Sequence, residues 1–232
     1  MEQMTFLFPT LGLLAMTGSF LYAVGDVLLL ASKVNLDEYP KLKPFAKLLD
    51  DAGKMVVLSP NRMMWGALLG VFATPLVLAG YWLVYQGLTG ATASLVFLTV
   101  LLLGCASVLG TFVHGTFYYL GEYVHALYKV DEQSQNVIAD MLTRHRKVLI
   151  ISYAPVMIMV VIASILFSVL VATQKTAFPI WMAAANPLIL IIVWLLLKRI
   201  LPQFIRDWTE GAGFNIAFLV FFACITFSLW KV

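Results

Sequence analysis

The chain has 232 residues, of which 62% are hydrophobic and only 12% charged, and its mean hydropathy is +0.93. Soluble domains carry about 25% charged residues, so a water-soluble globular fold is excluded. The net charge of +3 does not describe a nucleic-acid surface either, because the basic residues cluster in the connections between apolar segments.

Apolar segments long enough to cross a bilayer recur at about 5–32, 62–86, 93–122, 148–173, 178–199 and 213–230. Helix is the open-chain structure that satisfies its own backbone in hydrocarbon. The expected fold class is therefore an all-α integral membrane protein: one polytopic domain, a bundle of six transmembrane helices with short interfacial or cytoplasmic helices between them.

The first segment is preceded by Glu2 and by no Lys or Arg. It lacks the charged start of a cleavable signal peptide and is expected to stay in the membrane. Within it Gly12, Ala15, Ser19, Tyr22 and Asp26 recur at steps of three or four, which makes one helical face ending in a carboxylate. The connection that follows holds Lys33, Lys41, Lys43, Lys47 and Lys54. Its stretch 41–52 alternates Leu42, Phe45, Leu48 and Leu49 with charged residues, the pattern of a short helix lying on lipid headgroups.

The second segment opens on Arg62, spaces Gly66 and Gly70 for close helix approach, and carries Pro75 as a kink point. Tyr81, Trp82 and Tyr85 near its far end read as interfacial anchors. In the third segment Ser107, Thr111, His114, Tyr118, Glu122 and His125 follow steps of three and four residues. On a helix they form one polar stripe, which must face protein or trapped water, since polar groups unpaired in hydrocarbon cost several kcal/mol each. Gly110 and Gly115 lower the surface beside His114, where a second helix or a ligand is expected to approach.

After it, Asp131 begins a cap-like DEQ, and the stretch 131–147 ends in Arg144, His145, Arg146 and Lys147. That stretch is expected to extend the third helix and return the chain to the interface. Ser152 and Tyr153 enter the fourth segment, with Pro155 as a second kink point. In the fifth, Trp181 reads as an anchor, Pro187 as a third kink point, and Asn186 beside it as a buried amide able to bind a cation or a substrate. Asn215 opens the sixth. Cys105 and Cys224 lie in different apolar segments and read as packing residues.

Most of the 15 basic residues fall in the first, third and fifth connections, with Lys175 and Lys231 as exceptions. The positive-inside rule then puts those connections in the cytoplasm and both termini outside, in the plasma (inner) membrane if the source is bacterial. Nearly all strong polar groups converge on that side. A cavity lined by Tyr22, Asp26, Arg62, Thr111, His114, Tyr118, Asn186 and Asn215 is expected there, with Arg62 as the charge partner of Asp26.

The leading functional expectation is a proton-linked or small-solute transporter or channel. Three spans followed by three place the halves in opposite orientation, as inverted-repeat transporters require. One alternative is an intramembrane enzyme on a lipid or isoprenoid-like substrate, with His114 as general base and Asp26 or Glu122 orienting it. Another is a noncatalytic membrane subunit or lipid-binding module. Glu122 and His125 are metal candidates as half of a diiron motif, but no second copy exists, so no metal or other cofactor is expected. Phosphate loops, serine elbows, zinc-protease motifs and paired cysteines are missing from the sequence. The expected partners are membrane lipids, a small solute or proton, and a second copy or another membrane protein; nucleic acid is not among them.

Overall fold

The computed structural model describes residues 2–230, so Lys231 lies outside the described residues. Six principal helices follow in chain order: α1 (Glu2–Leu30), α2 (Pro60–Leu88), α3 (Ala93–Lys129), α4 (Glu132–Ala172), α5 (Pro187–Ile200) and α6 (Gly213–Leu229). Short helical turns lie between them, and no strand occurs among the described residues. The chain is an all-helical protein of membrane type. Four stretches are long and apolar enough to cross a bilayer: Leu7–Leu30, Pro60–Leu88, Ala93–Lys129 and Glu132–Ala172.

The fifth and sixth apolar segments form shorter helices. With 14 and 17 residues, α5 and α6 reach only about 21 and 26 Å at 1.5 Å per residue, below the roughly 30 Å of a hydrocarbon core. The cause in α5 is Pro187, which kinks nothing. It sits at the first helical position, where its missing N–H is no loss. The residues before it form a separate turn, Ile180–Ala183.

By contrast, α3 and α4 are 37 and 41 residues long, about 55 and 60 Å, so the hairpin they make overshoots any bilayer. Val130 and Asp131 alone separate them. Asp131 caps α4 by accepting the Ser134 amide at 3.0 Å, and that bond holds its carboxyl below the usual range.

The overshooting hairpin gives the first connection an apolar wall, and the connection folds onto it. Leu42, Leu49 and Met55 are fully buried against Leu120, Val124, Leu127 and Leu142, each worth roughly 1.5–3 kcal/mol of burial. The stretch 41–52 is thus a folded cap of 3-10 and α turns (Pro40–Phe45, Ala46–Leu49, Asp50–Val57) and not a helix lying on headgroups. Its charges meet those of the other basic connections. Lys54 pairs with Glu210 and Lys33 with Asp207, both at 2.8 Å, while Arg146 lies 3.7 Å from Asp50 and donates to the Leu48 carbonyl. The basic connections thereby share one end of the bundle, the basic end.

Around the bundle the helices pack in the order α4, α3, α2, α1, α6, α5, and α4 and α6 barely approach each other's backbone. At the far end the gap between them is filled by side chains. Phe167 of α4 meets Phe221 of α6 edge to face at 5.4 Å and Phe178 at 5.5 Å, with Phe222 buried beside them. Towards the basic end the gap is not filled, and a cavity remains.

Candidate functional site

The polar face of α1 and the polar stripe of α3 turn toward this cavity of about 340 Å³. On α3 it runs along residues 106–117, about 16 Å of helix. α1 contributes Ser19, Tyr22 and Asp26; α3 contributes Ser107 and His114; α6 contributes Asn215. The remaining wall is apolar or aromatic, including Phe117, Val156, Val160, Phe214 and Phe218. Ile150 and Tyr153 of α4 line the cavity while also being exposed, at 62% and 45%, so the cavity opens sideways along α4.

At its polar pole, Asp26 and His114 are both buried, with Oδ1 and Nδ1 3.5 Å apart. The Asn215 amide donates to the other carboxylate oxygen at 2.7 Å. His114 Nε2 lies 3.0 Å from the carbonyl oxygen of Gly66. A carbonyl only accepts, so Nε2 carries a hydrogen, and in the uncharged ring the lone pair of Nδ1 faces Asp26 Oδ1.

The imidazole occupies a seat made of glycines from the neighbouring helices. A Cβ on Gly70 would fall 2.2 Å from His114 Cδ2, and one on Gly25 would fall 3.0 Å from Nε2 and 2.6 Å from the Gly66 carbonyl oxygen. The helices that approach the ring are α1 and α2, while Gly110 faces open space and lines the cavity with His114, and Gly115 meets only Val71. The spacing of Gly66 and Gly70 announced a close contact. Gly25, adjacent to Asp26, makes the same kind of close contact.

A second polar group lies deeper. The Tyr22 hydroxyl is 2.5 Å from that of Thr74, which is 2.6 Å from that of Thr111. Tyr81 reaches the Ser107 hydroxyl at 2.8 Å and is buried, so it is a wall of the cavity and not an interfacial anchor; Trp82 and Tyr85 remain exposed. Ser19 is 1% exposed, lines the cavity, and its hydroxyl has no partner.

Other expected site residues lie elsewhere. Arg62 donates from Nε to the Leu28 carbonyl at 2.9 Å and from Nη2 to those of Ala31 and Val27 at 2.8 and 3.3 Å. It caps the C-terminus of α1, where carbonyls lack helical donors and a cation suits the dipole, and it neither lines the cavity nor pairs with Asp26. Asn186 caps α5 through Oδ1 to the Ile189 amide at 3.1 Å and donates to Ser168 and Ala183, away from the cavity. Tyr118 is half-buried against the basic-end core. Glu122 lies outside the cavity lining, and His125 donates from Nε2 to the Met55 carbonyl at 3.1 Å. Among the described residues no three His, Cys, Asp or Glu side chains are grouped to hold a metal.

A second cavity of about 310 Å³ adjoins the first at the basic end. It carries Asp50, Lys54, Arg146 and Glu210 and shares Leu30, Phe117, Leu149, Ile150 and Gly211 with the first. A collar of apolar residues thus separates a charged vestibule from the His–Asp pair. A histidine acting as general base needs one nitrogen toward its orienting carboxylate and the other toward substrate. In His114 that other nitrogen is held by Gly66. The arrangement sets an imidazole beside a carboxylate and offers no free imidazole nitrogen to a substrate.

The chain belongs to a family of unknown function, DUF6796, whose model matches residues 4–232. Neither the curated proteins nor the solved structures gave a match.

Proposed function

We propose that this protein is a proton-linked membrane carrier of a small solute, seen with its cavity facing the basic end. The observation that supports this reading is the buried Asp26–His114 pair, 3.5 Å apart on the wall of an otherwise apolar cavity; in this reading the pair carries one exchangeable proton. Ionisable groups within a membrane bundle commonly mark ion and substrate pathways. The charged vestibule offers the route to water at the basic end, and the Phe167, Phe178, Phe221 and Phe222 cluster closes the far end.

In this reading the basic end is cytoplasmic and both termini lie outside. α5, helped by the turn Ile180–Ala183, and α6 complete a six-pass topology. The sideways opening along α4 faces acyl chains, so membrane lipid has access to the cavity as well.

Proteoliposomes with a preformed pH gradient test the proposal. A solute fraction extracted from native cells should dissipate the gradient faster through the wild-type protein than through empty liposomes, and Asp26→Asn should remove the difference. Gradient decay that is the same with protein, with variant and without either refutes the carrier reading.

A further inference from the structure

We propose that the solute is a lipophilic monovalent cation, an amine or quaternary ammonium with an aromatic or aliphatic body, which takes the place of the exchangeable proton at Asp26. The inference rests on the carrier reading and narrows it to a substrate class.

The argument is one of charge balance. The cavity wall supplies one carboxylate and no Lys or Arg. The titratable or charged groups around Asp26 are Tyr22 on α1, Arg62 on α2, His114 on α3 and Tyr153 on α4, with the neutral Asn215 on α6. Arg62 is committed to the carbonyls at the end of α1. With Nε2 holding its hydrogen against Gly66, the Asp26–His114 pair is neutral with the shared proton and singly negative without it. An uncompensated charge in an apolar cavity costs several kcal/mol. A ligand that exchanges with the proton therefore has to bring one positive charge. A neutral ligand would leave the carboxylate uncompensated, and an anion would add a second negative charge beside it.

The rest of the cavity selects the body that carries this charge. Tyr22 lies 5.2 Å from the His114 ring, Phe117, Tyr153 and Phe214 line the same cavity, and aromatic faces attract organic cations. The volume of about 340 Å³ falls in the small-molecule range of about 300–1,000 Å³ and is far larger than a bare metal ion needs. Ser19, seven residues from Asp26 along α1 and about 10 Å away, also lines the cavity, and its buried hydroxyl has no partner.

Isothermal titration of the purified full-length protein decides the matter with three probes of one shape: benzyltrimethylammonium, its uncharged carbon isostere neopentylbenzene, and phenylmethanesulfonate. The cation should bind and the other two should not. On the acid side of the pair's titration, where the proton is bound beforehand, titration in two buffers of different ionisation heat should show close to one proton released per cation bound. The apparent Kd should weaken about tenfold per pH unit on the acid side of the pair's titration. Asp26→Asn should lose both binding and release. Asp26→Glu, which keeps the carboxylate should the amide variant not fold, should retain both. Equal binding of the neutral isostere, or cation binding without proton release, overturns the cation assignment. A gradient dissipated in proteoliposomes by neutral or anionic solutes alone overturns it too, while leaving the carrier reading intact.

Discussion

Gly70→Ala tests the imidazole seat most directly. The added methyl would stand 2.2 Å from His114 Cδ2 and 2.5 Å from Nε2, distances that real Cβ atoms do not tolerate. The ring would have to leave the Gly66 carbonyl and move relative to Asp26. Overpacking of this kind costs about 1–3 kcal/mol, against a gain of about 1 kcal/mol for replacing a helical glycine by alanine.

Gly110→Ala, on the same helix as His114, meets no atom within 4 Å and should therefore gain up to about 1 kcal/mol. Thermal unfolding in detergent should place the Gly70 variant below wild type and the Gly110 variant at or above it. At about 2–4 °C per kcal/mol for a chain of this size, the two variants should differ by several degrees. Removing the ring should remove the clash, so Gly70→Ala made in a His114→Ala background should no longer destabilise, an interaction that a double-mutant cycle reads directly. If Gly70→Ala unfolds at the wild-type temperature, or is as harmful without the imidazole as with it, the seat is not what holds His114.

Arg62→Ala should lower the unfolding temperature by the equivalent of at least one charge-assisted bond, roughly 1.5–3 kcal/mol, while leaving proton release on cation binding unchanged, because its guanidinium serves the end of α1. Asn186→Ala should cost about 1 kcal/mol as a lost helix cap, measured by the same melt, with no change in ligand binding. The carboxyl of Asp207 is held below its ordinary range chiefly by its hydrogen bond to Lys33. A group depressed in this way stabilises the fold above its ordinary value and ceases to do so as pH falls through the lowered one. Limited proteolysis of the turn Gln203–Trp208 should therefore accelerate only under strongly acidic conditions and be unaffected between neutral and mildly acidic pH; earlier acceleration would contradict the pairing.

Periodicity made much of this architecture legible. Steps of three and four residues put Asp26 and His114 on faces that do meet, and the clustering of Lys and Arg anticipated that the basic connections share one end. Hydropathy puts the fifth segment at about 178–199 while its helix begins at Pro187, since a segment average is blind to a proline whose place is the first turn. Arg62 departs from its expected pairing for a different reason. Its competitor for Asp26 was a set of backbone carbonyls, which have no letter in a sequence. Tyr81 was placed by its distance along the helix, whereas its facing was decided by Ser107 on the neighbouring helix. The cap over the basic end was hidden because the wall it packs on belongs to a hairpin whose length beyond the bilayer only the continuous helices reveal.

That hairpin also settles where the molecule is best handled. If the hydrocarbon layer takes about 30 Å of two rods some 55–60 Å long, roughly 25 Å stands clear in water. The bend at Val130 and Asp131 is its tip, outside the lining of the cavity. An epitope inserted there would be reached by antibody from one side of a sealed vesicle only. It would report sidedness in living cells without touching a residue of the cavity wall.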